Sequence, residues 1–243
     1  MADPHRPAPL TARPPYRAGL PAGAHVDLAL TLPVFLAYHL GVVFLNIRNA
    51  SDVVTGLLMQ LAEGSTAVYL LLTLAIGVVF AGVLGWVGRG QAFRVAKFVQ
   101  IAVEGVVYAF LMRIIAGYVV GSMSLGKVTV NGFPGFIMSL GAGFYEELTY
   151  RLVLFGLGAW VLRTVLFARG TIRGAVMTWT WALVCAAIFS AAHYVGPLGD
   201  RFELRSFVFR MVLGMLLTVI FVFRGFAAAV WAHAFYDVWV LVL

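Results

Sequence analysis

Residues 141–156 read GAGFYEELTYRLVLFG, and the reading of this stretch decides what kind of chain this is. Glu146, Glu147 and Arg151 stand inside an apolar run long enough to cross a bilayer. Charged groups at that depth cost roughly 2.5–3.5 kcal/mol each even on lenient insertion scales, so they persist only when paired or put to use. Glu147 leads Arg151 by four residues, the spacing and order of a favourable helical ion pair. Glu146 lies about 100° round the helix from Glu147 at ~3.6 residues per turn, which leaves it without a local partner. An unpartnered carboxylate at membrane depth is a functional signal.

The composition agrees with a membrane chain. Of 243 residues, 62% are hydrophobic and 11% charged, against about 25% charged in a soluble domain. The expected fold class is all-α: a polytopic transmembrane bundle of about seven spans with a C-terminal four-helix core. The net charge of +7 does not indicate nucleic acid as a partner, because the Lys and Arg residues are scattered between apolar runs, as topology determinants are. The single cysteine, Cys185, lies in an apolar run and reads as a packing residue, since burial in hydrocarbon raises a thiol pKa.

Taken in order, residues 1–23 read as a disordered, basic, Pro-rich tail without the pattern of a removable signal peptide. Residues 24–134 hold the N-terminal transmembrane helices and residues 135–243 the C-terminal core. The expected spans are 28–47 (with Pro33 and His39 inside), 66–87, 98–120, 136–167, 175–194, 206–223 and 226–243. Residues 53–62 are too short to cross and read as an interfacial or re-entrant helix. Glu104 and Arg113, nine apart in the third span, fall on opposite faces, so each needs a partner on another helix. Positive charge accumulates at Arg6, Arg13 and Arg17, at Arg89, Arg94 and Lys97, at Arg163, Arg169 and Arg173, and at Arg224; Lys127 stands in a sparser loop. The positive-inside rule then places the N-terminus in the cytoplasm.

Two further polar groups stand in the C-terminal half. Phe189-Ser-Ala-Ala-His193 sets an aromatic ring and an imidazole on one helical face, before a helix end marked by Gly196 and Pro197. His233-Ala-Phe-Tyr-Asp237 sets an imidazole and a carboxylate on one face of the last span. Singly, a membrane histidine is more often a hydrogen-bonded packing residue, a Glu–Arg pair structural, and a His–Asp pair a device that fixes a ring tautomer. Jointly, Glu146, His193, His233 and Asp237 on three helices point to a buried polar centre. Glu and His together deprotonate a water, and a second His can stabilise the oxyanion that forms. No serine stands in a nucleophile-elbow context and no HExxH occurs.

The three motifs in this order resemble the CPBP family of intramembrane proteases (CAAX prenyl protease and bacteriocin-processing, also called Abi). EELTYR is similar to its EExxxR motif, FSAAH to its FxxxH motif and HAFYD to its HxxxN/D motif. The resemblance spans Glu146 to Asp237. It implies a glutamic-type endopeptidase in which Glu146 is the general base, sharing its water with His193, while His233 and Asp237 line the oxyanion side. It also implies that Glu147 and Arg151 brace the helix, with Phe189 supporting. Where the family commonly has Asn, this chain has Asp237, which fits orienting His233 better than donating to an oxyanion. No cofactor is required on this reading; zinc held by Glu146, His193 and His233 is the alternative.

The expected function is hydrolysis of a peptide bond near the terminus of a membrane-anchored protein or peptide, in a prokaryotic inner or plasma membrane. Two substrate readings stand. One is sortase-like removal of C-terminal anchors from exported proteins; the other is prenyl-CAAX processing on the cytosolic face. A non-catalytic immunity or scaffold protein is the main alternative class, and a proton-coupled transporter the next.

Overall fold

The computed structural model describes residues 24–45, 47–87, 95–121, 132–166, 169–196 and 199–242. The expected tail over 1–23, the basic positions Arg89 and Arg94, Lys127 and Pro197 lie outside them. The described residues are helical, with no strand among them: α1 (Ala24–Leu45), α2 (Val53–Leu61), α3 (Thr66–Val87), α4 (Val95–Val120), α5 (Gly132–Gly141), a π-helical segment (Ala142–Leu157), α6 (Gly158–Val165), α7 (Ile172–Ala192), α8 (Leu204–Arg224) and α9 (Phe226–Leu241).

Five of these helices are long and apolar enough to cross a membrane, and two shorter apolar helices, 29–45 and 226–241, complete the seven expected segments. The short α2 is the non-crossing helix expected over 53–62. Asp52 caps it by accepting a hydrogen bond from the Thr55 backbone N–H at 2.9 Å, which satisfies one of the donors that a helix start leaves open. Residues 132–165 form one continuous 34-residue span, as the excess length over 136–167 indicated. Its middle, however, is π-helical rather than α-helical. Such widening is rare and concentrates at functional sites, and it falls on the residues of the opening stretch.

Helix α9 is the hub. Ala227, Ala228, Ala229, Val230 and Ala232 have no solvent exposure, and α9 packs against α1, α4, α5, α8 and the π segment. Its small residues explain the close approach, since helices in lipid associate through small side chains that let backbones meet. Ala109 and Ala116 of α4 join Ala228, Ala229 and Ala232 in one cluster. A Cβ at Gly143 of the π segment would lie 2.8 Å from the Val230 carbonyl oxygen and from the Ala234 side chain, so only glycine fits there. Surrounded in this way, α9 has no need to present a full-length apolar surface to lipid. The outer helices do: Leu71, Leu74, Val78 and Val79 of α3, and Val99, Val103, Val106 and Phe110 of α4, are exposed, the apolar surface expected of a bilayer-facing helix.

The two charges of α4 that needed partners have them. Glu104 accepts from Arg224 of α8 at 2.6–2.9 Å. The Arg113 guanidinium stacks over the Trp239 ring of α9 at 5.1 Å.

Candidate active site

Glu146 is buried in the π segment. Its Oε2 lies 4.0 Å from His193 Nε2 at the end of α7 and 3.9 Å from His233 Nε2 of α9. Both separations are too long for a direct hydrogen bond and match two partners of one bridging water, whose hydrogen bonds run at ~2.7–2.8 Å. The acid and both imidazoles singled out in the sequence therefore face one space.

The histidines are held differently. His193 stands just beyond the last residue of its span, and its Nδ1–H donates to the Phe189 carbonyl at 2.9 Å. A carbonyl only accepts, so the neutral ring carries its proton on Nδ1 and turns the Nε2 lone pair toward Glu146.

His233 donates from Nδ1 to Glu147 Oε1 at 2.7 Å. The same carboxylate oxygen lies 3.1 Å from Arg151 Nη1. The Glu147–Arg151 pair expected from spacing is present and fully buried, and Glu147 also bonds His233. Asp237, expected to orient His233, stands farther from it than Glu147 does. Asp237 Oδ2 stands 3.7 Å from His233 Nε2, beyond hydrogen-bond reach and close enough to favour a proton there.

Phe189 lies between these groups. Its ring sits under the Arg151 guanidinium at 4.2 Å, with edge contacts to His193 at 5.0 Å and His233 at 6.1 Å. Gly214 of α8 makes room for it, since a Cβ there would meet the ring at 2.9 Å.

The N-terminal half supplies a residue the motifs do not contain. Asn49, in the short connection between α1 and α2, donates from Nδ2 to Glu146 Oε1 at 3.0 Å. Behind it lies a buried polar cluster. The Tyr38 hydroxyl accepts from the Asn49 backbone N–H and donates to Asp52, each at 2.8 Å. His39 bonds the Tyr69 hydroxyl at 2.6 Å and the Tyr145 hydroxyl at 2.5 Å. His39 inside an apolar span was the one visible trace of this cluster; nothing in the spacing of Asn49 indicated its partner.

Two cavities meet at the site. One, of about 240 Å³, is lined by Phe189, His193, Arg210, His233 and Asp237 among others. The second, more open, is lined by Ala50, Ser51, Glu146, Tyr150 and His193. His193 borders both, so a chain lying across Glu146 and His193 has room on either side.

Zinc ligands sit ~2.0–2.2 Å from the metal, which sets tetrahedral ligand atoms about 3.3 Å apart. The observed 3.9 and 4.0 Å are wider, and among the described residues no group of three or more His, Cys, Asp or Glu side chains is arranged to hold a metal ion. As placed, Glu146 stands farther from His193 and His233 than the ligands of one tetrahedral zinc ion stand from each other.

By fold and site this is a polytopic helical membrane protein with an acid–imidazole centre buried in its C-terminal half. Residues 130–239 match the family model for Rce1-like proteins, type II CAAX prenyl endopeptidase, and this matched segment contains all three motifs. No curated protein and no solved structure matches the chain.

Proposed function

We propose that the protein is an intramembrane endopeptidase that hydrolyses a peptide bond near the C-terminus of a membrane-anchored chain, using water without a covalent intermediate. The observation that carries this reading is the placement of Glu146 Oε2 at 4.0 and 3.9 Å from two imidazole nitrogens on two other helices.

In this reading a water donates its hydrogens to Glu146 Oε2 and His193 Nε2, and its oxygen attacks the scissile carbonyl carbon. Glu146 takes the water's proton as the C–O bond forms. The carbonyl oxygen becomes an oxyanion and accepts from His233 Nε2–H, a proton that Asp237 favours. The C–N bond then breaks, and Glu146 passes its proton to the departing amine nitrogen. General acid–base help of this kind is worth about 10²–10⁴-fold.

Arg210 supports a scissile bond close to a free terminus. It lines the smaller cavity beside the reacting groups, one guanidinium nitrogen pairs with Asp200, and another is buried without a hydrogen-bond partner among the described residues. A peptide carboxylate is the natural occupant of such a position. The CAAX-type family match favours a lipid-modified C-terminal tail over a hydrophobic sorting tail.

The test uses the full chain in proteoliposomes with three peptides: an S-farnesylated one ending in Cys-aliphatic-aliphatic-X, its unprenylated counterpart, and one with a C-terminal hydrophobic anchor. Cleavage of the farnesylated peptide is expected, with E146Q reducing the rate by at least about 10²-fold. A farnesylated peptide left intact by wild type, or cut equally fast by E146Q, overturns the proposal. Preference for the hydrophobic anchor moves it to the sortase-like reading.

A further inference from the structure

The motif residues leave one property of the centre unexplained, namely what holds the Glu146 carboxylate so that one of its two oxygens faces both histidines. A carboxylate is two-fold symmetric and rotates about its last torsion unless something holds it. The holding group is Asn49: its Nδ2 donates to Oε1 at 3.0 Å, and it is itself buried, 6% exposed.

Which end of the Asn49 amide faces Glu146 follows from its other partner. Asn49 Oδ1 accepts from the Ser51 backbone N–H at 2.8 Å. A backbone N–H only donates, so the oxygen must point to Ser51 and the NH₂ to the carboxylate. The backbone of the same residue is fixed as well. Its N–H donates to the Tyr38 hydroxyl, its carbonyl accepts from the Asp52 N–H at 3.1 Å, and Asp52 caps α2. Tyr38 is fully buried on α1, and its ring lies where a Cβ on Gly141 would collide with it. The donor is therefore held from both sides, by α1 and by the start of α2.

We infer that Asn49 is a positioning residue for Glu146: by occupying Oε1 with a rigid amide donor it commits Oε2 to the water and the histidines. The inference rests on the proposed role of Glu146. It adds that the centre is completed from the α1–α2 connection, outside the 130–239 segment that matches the family. Asn49 touches neither water nor substrate in this scheme and acts only through the carboxylate.

Asp at position 49 separates positioning from mere loop structure. N49D is nearly isosteric and still offers Ser51 an acceptor, as Asn and Asp alike do in such turns; it replaces only the donor facing Glu146 by a second acceptor. With the farnesylated peptide in proteoliposomes, N49D and N49A are both expected to lower kcat about ten- to hundredfold, the range for losing a hydrogen bond to a charged group, with KM within about threefold of wild type. If N49D turns over like wild type while E146Q is inactive, the amide serves the loop alone and the inference fails. If E146Q itself is active, the proposed function fails first. A second readout needs no substrate. The infrared difference spectrum of wild type minus E146Q isolates the Glu146 carboxylate bands, and N49D is expected to displace them. Bands unmoved by N49D overturn the inference whatever the turnover shows.

Discussion

Glu147 and Asp237 both flank His233, and the difference between them is one of distance. Glu147 Oε1 accepts from the ring at 2.7 Å and lies 3.1 Å from Arg151, whereas Asp237 approaches no closer than 3.7 Å. Removing one partner of a fully buried ion pair leaves an uncompensated charge, at a cost of about 3–5 kcal/mol. E147Q is therefore expected to lower the unfolding midpoint in detergent and to lower cleavage, because Arg151 loses its counterion and His233 exchanges a charged acceptor for a weaker, neutral amide oxygen. D237N leaves the Nδ1 hydrogen bond intact; it should stay folded and keep more activity than E147Q. Thermal melts and peptide cleavage on the two variants check this, and D237N the less stable of the two contradicts it. The i,i+4 pairing of Glu147 and Arg151 was legible in the sequence because helical spacing is local. That Glu147 also holds His233 was not, because the two are 86 positions apart and no periodicity relates them.

At the scale of elements, the site depends on how closely the π segment meets α9. The three helices carrying Glu146, His193 and His233 were recognisable from apolar run lengths and motif spacing, and the structure has them at those positions. The π-helical winding over Ala142–Leu157 was not legible, since the apolar pattern there also suits an α-helix. Gly143 is the contact that lets the two backbones approach. Gly143→Ala is expected to destabilise by about 1–3 kcal/mol, the cost of overpacking a tight interface, and to lower cleavage by moving Glu146 away from His233. Measuring both on one preparation tests this; a variant as stable and active as wild type shows that the contact has slack.

For the molecule as a whole, the motifs lie in one half and the centre needs both. The 130–239 segment contains Glu146, His193, His233 and Asp237, yet Asn49 reaches Glu146 from the N-terminal half, His39 holds Tyr145, and α4 packs along α9. A chain of residues 130–243 alone is expected to insert into membranes and to cleave nothing, with activity returning when residues 1–129 are supplied as a second chain. Cleavage assays in proteoliposomes decide it; full activity from the short chain would show that the N-terminal half is dispensable. The helical membrane class, the apolar segments, and an acid and two imidazoles as the chemical groups were legible along the chain, because hydrophobic run length and helical spacing are local properties. The packing of the helices set what bonds the Glu146 carboxylate, which acid bonds His233, and that an asparagine in a short connection reaches the centre. Those are meetings of side chains tens of residues apart, set by how helices pack in three dimensions rather than by any pattern along one.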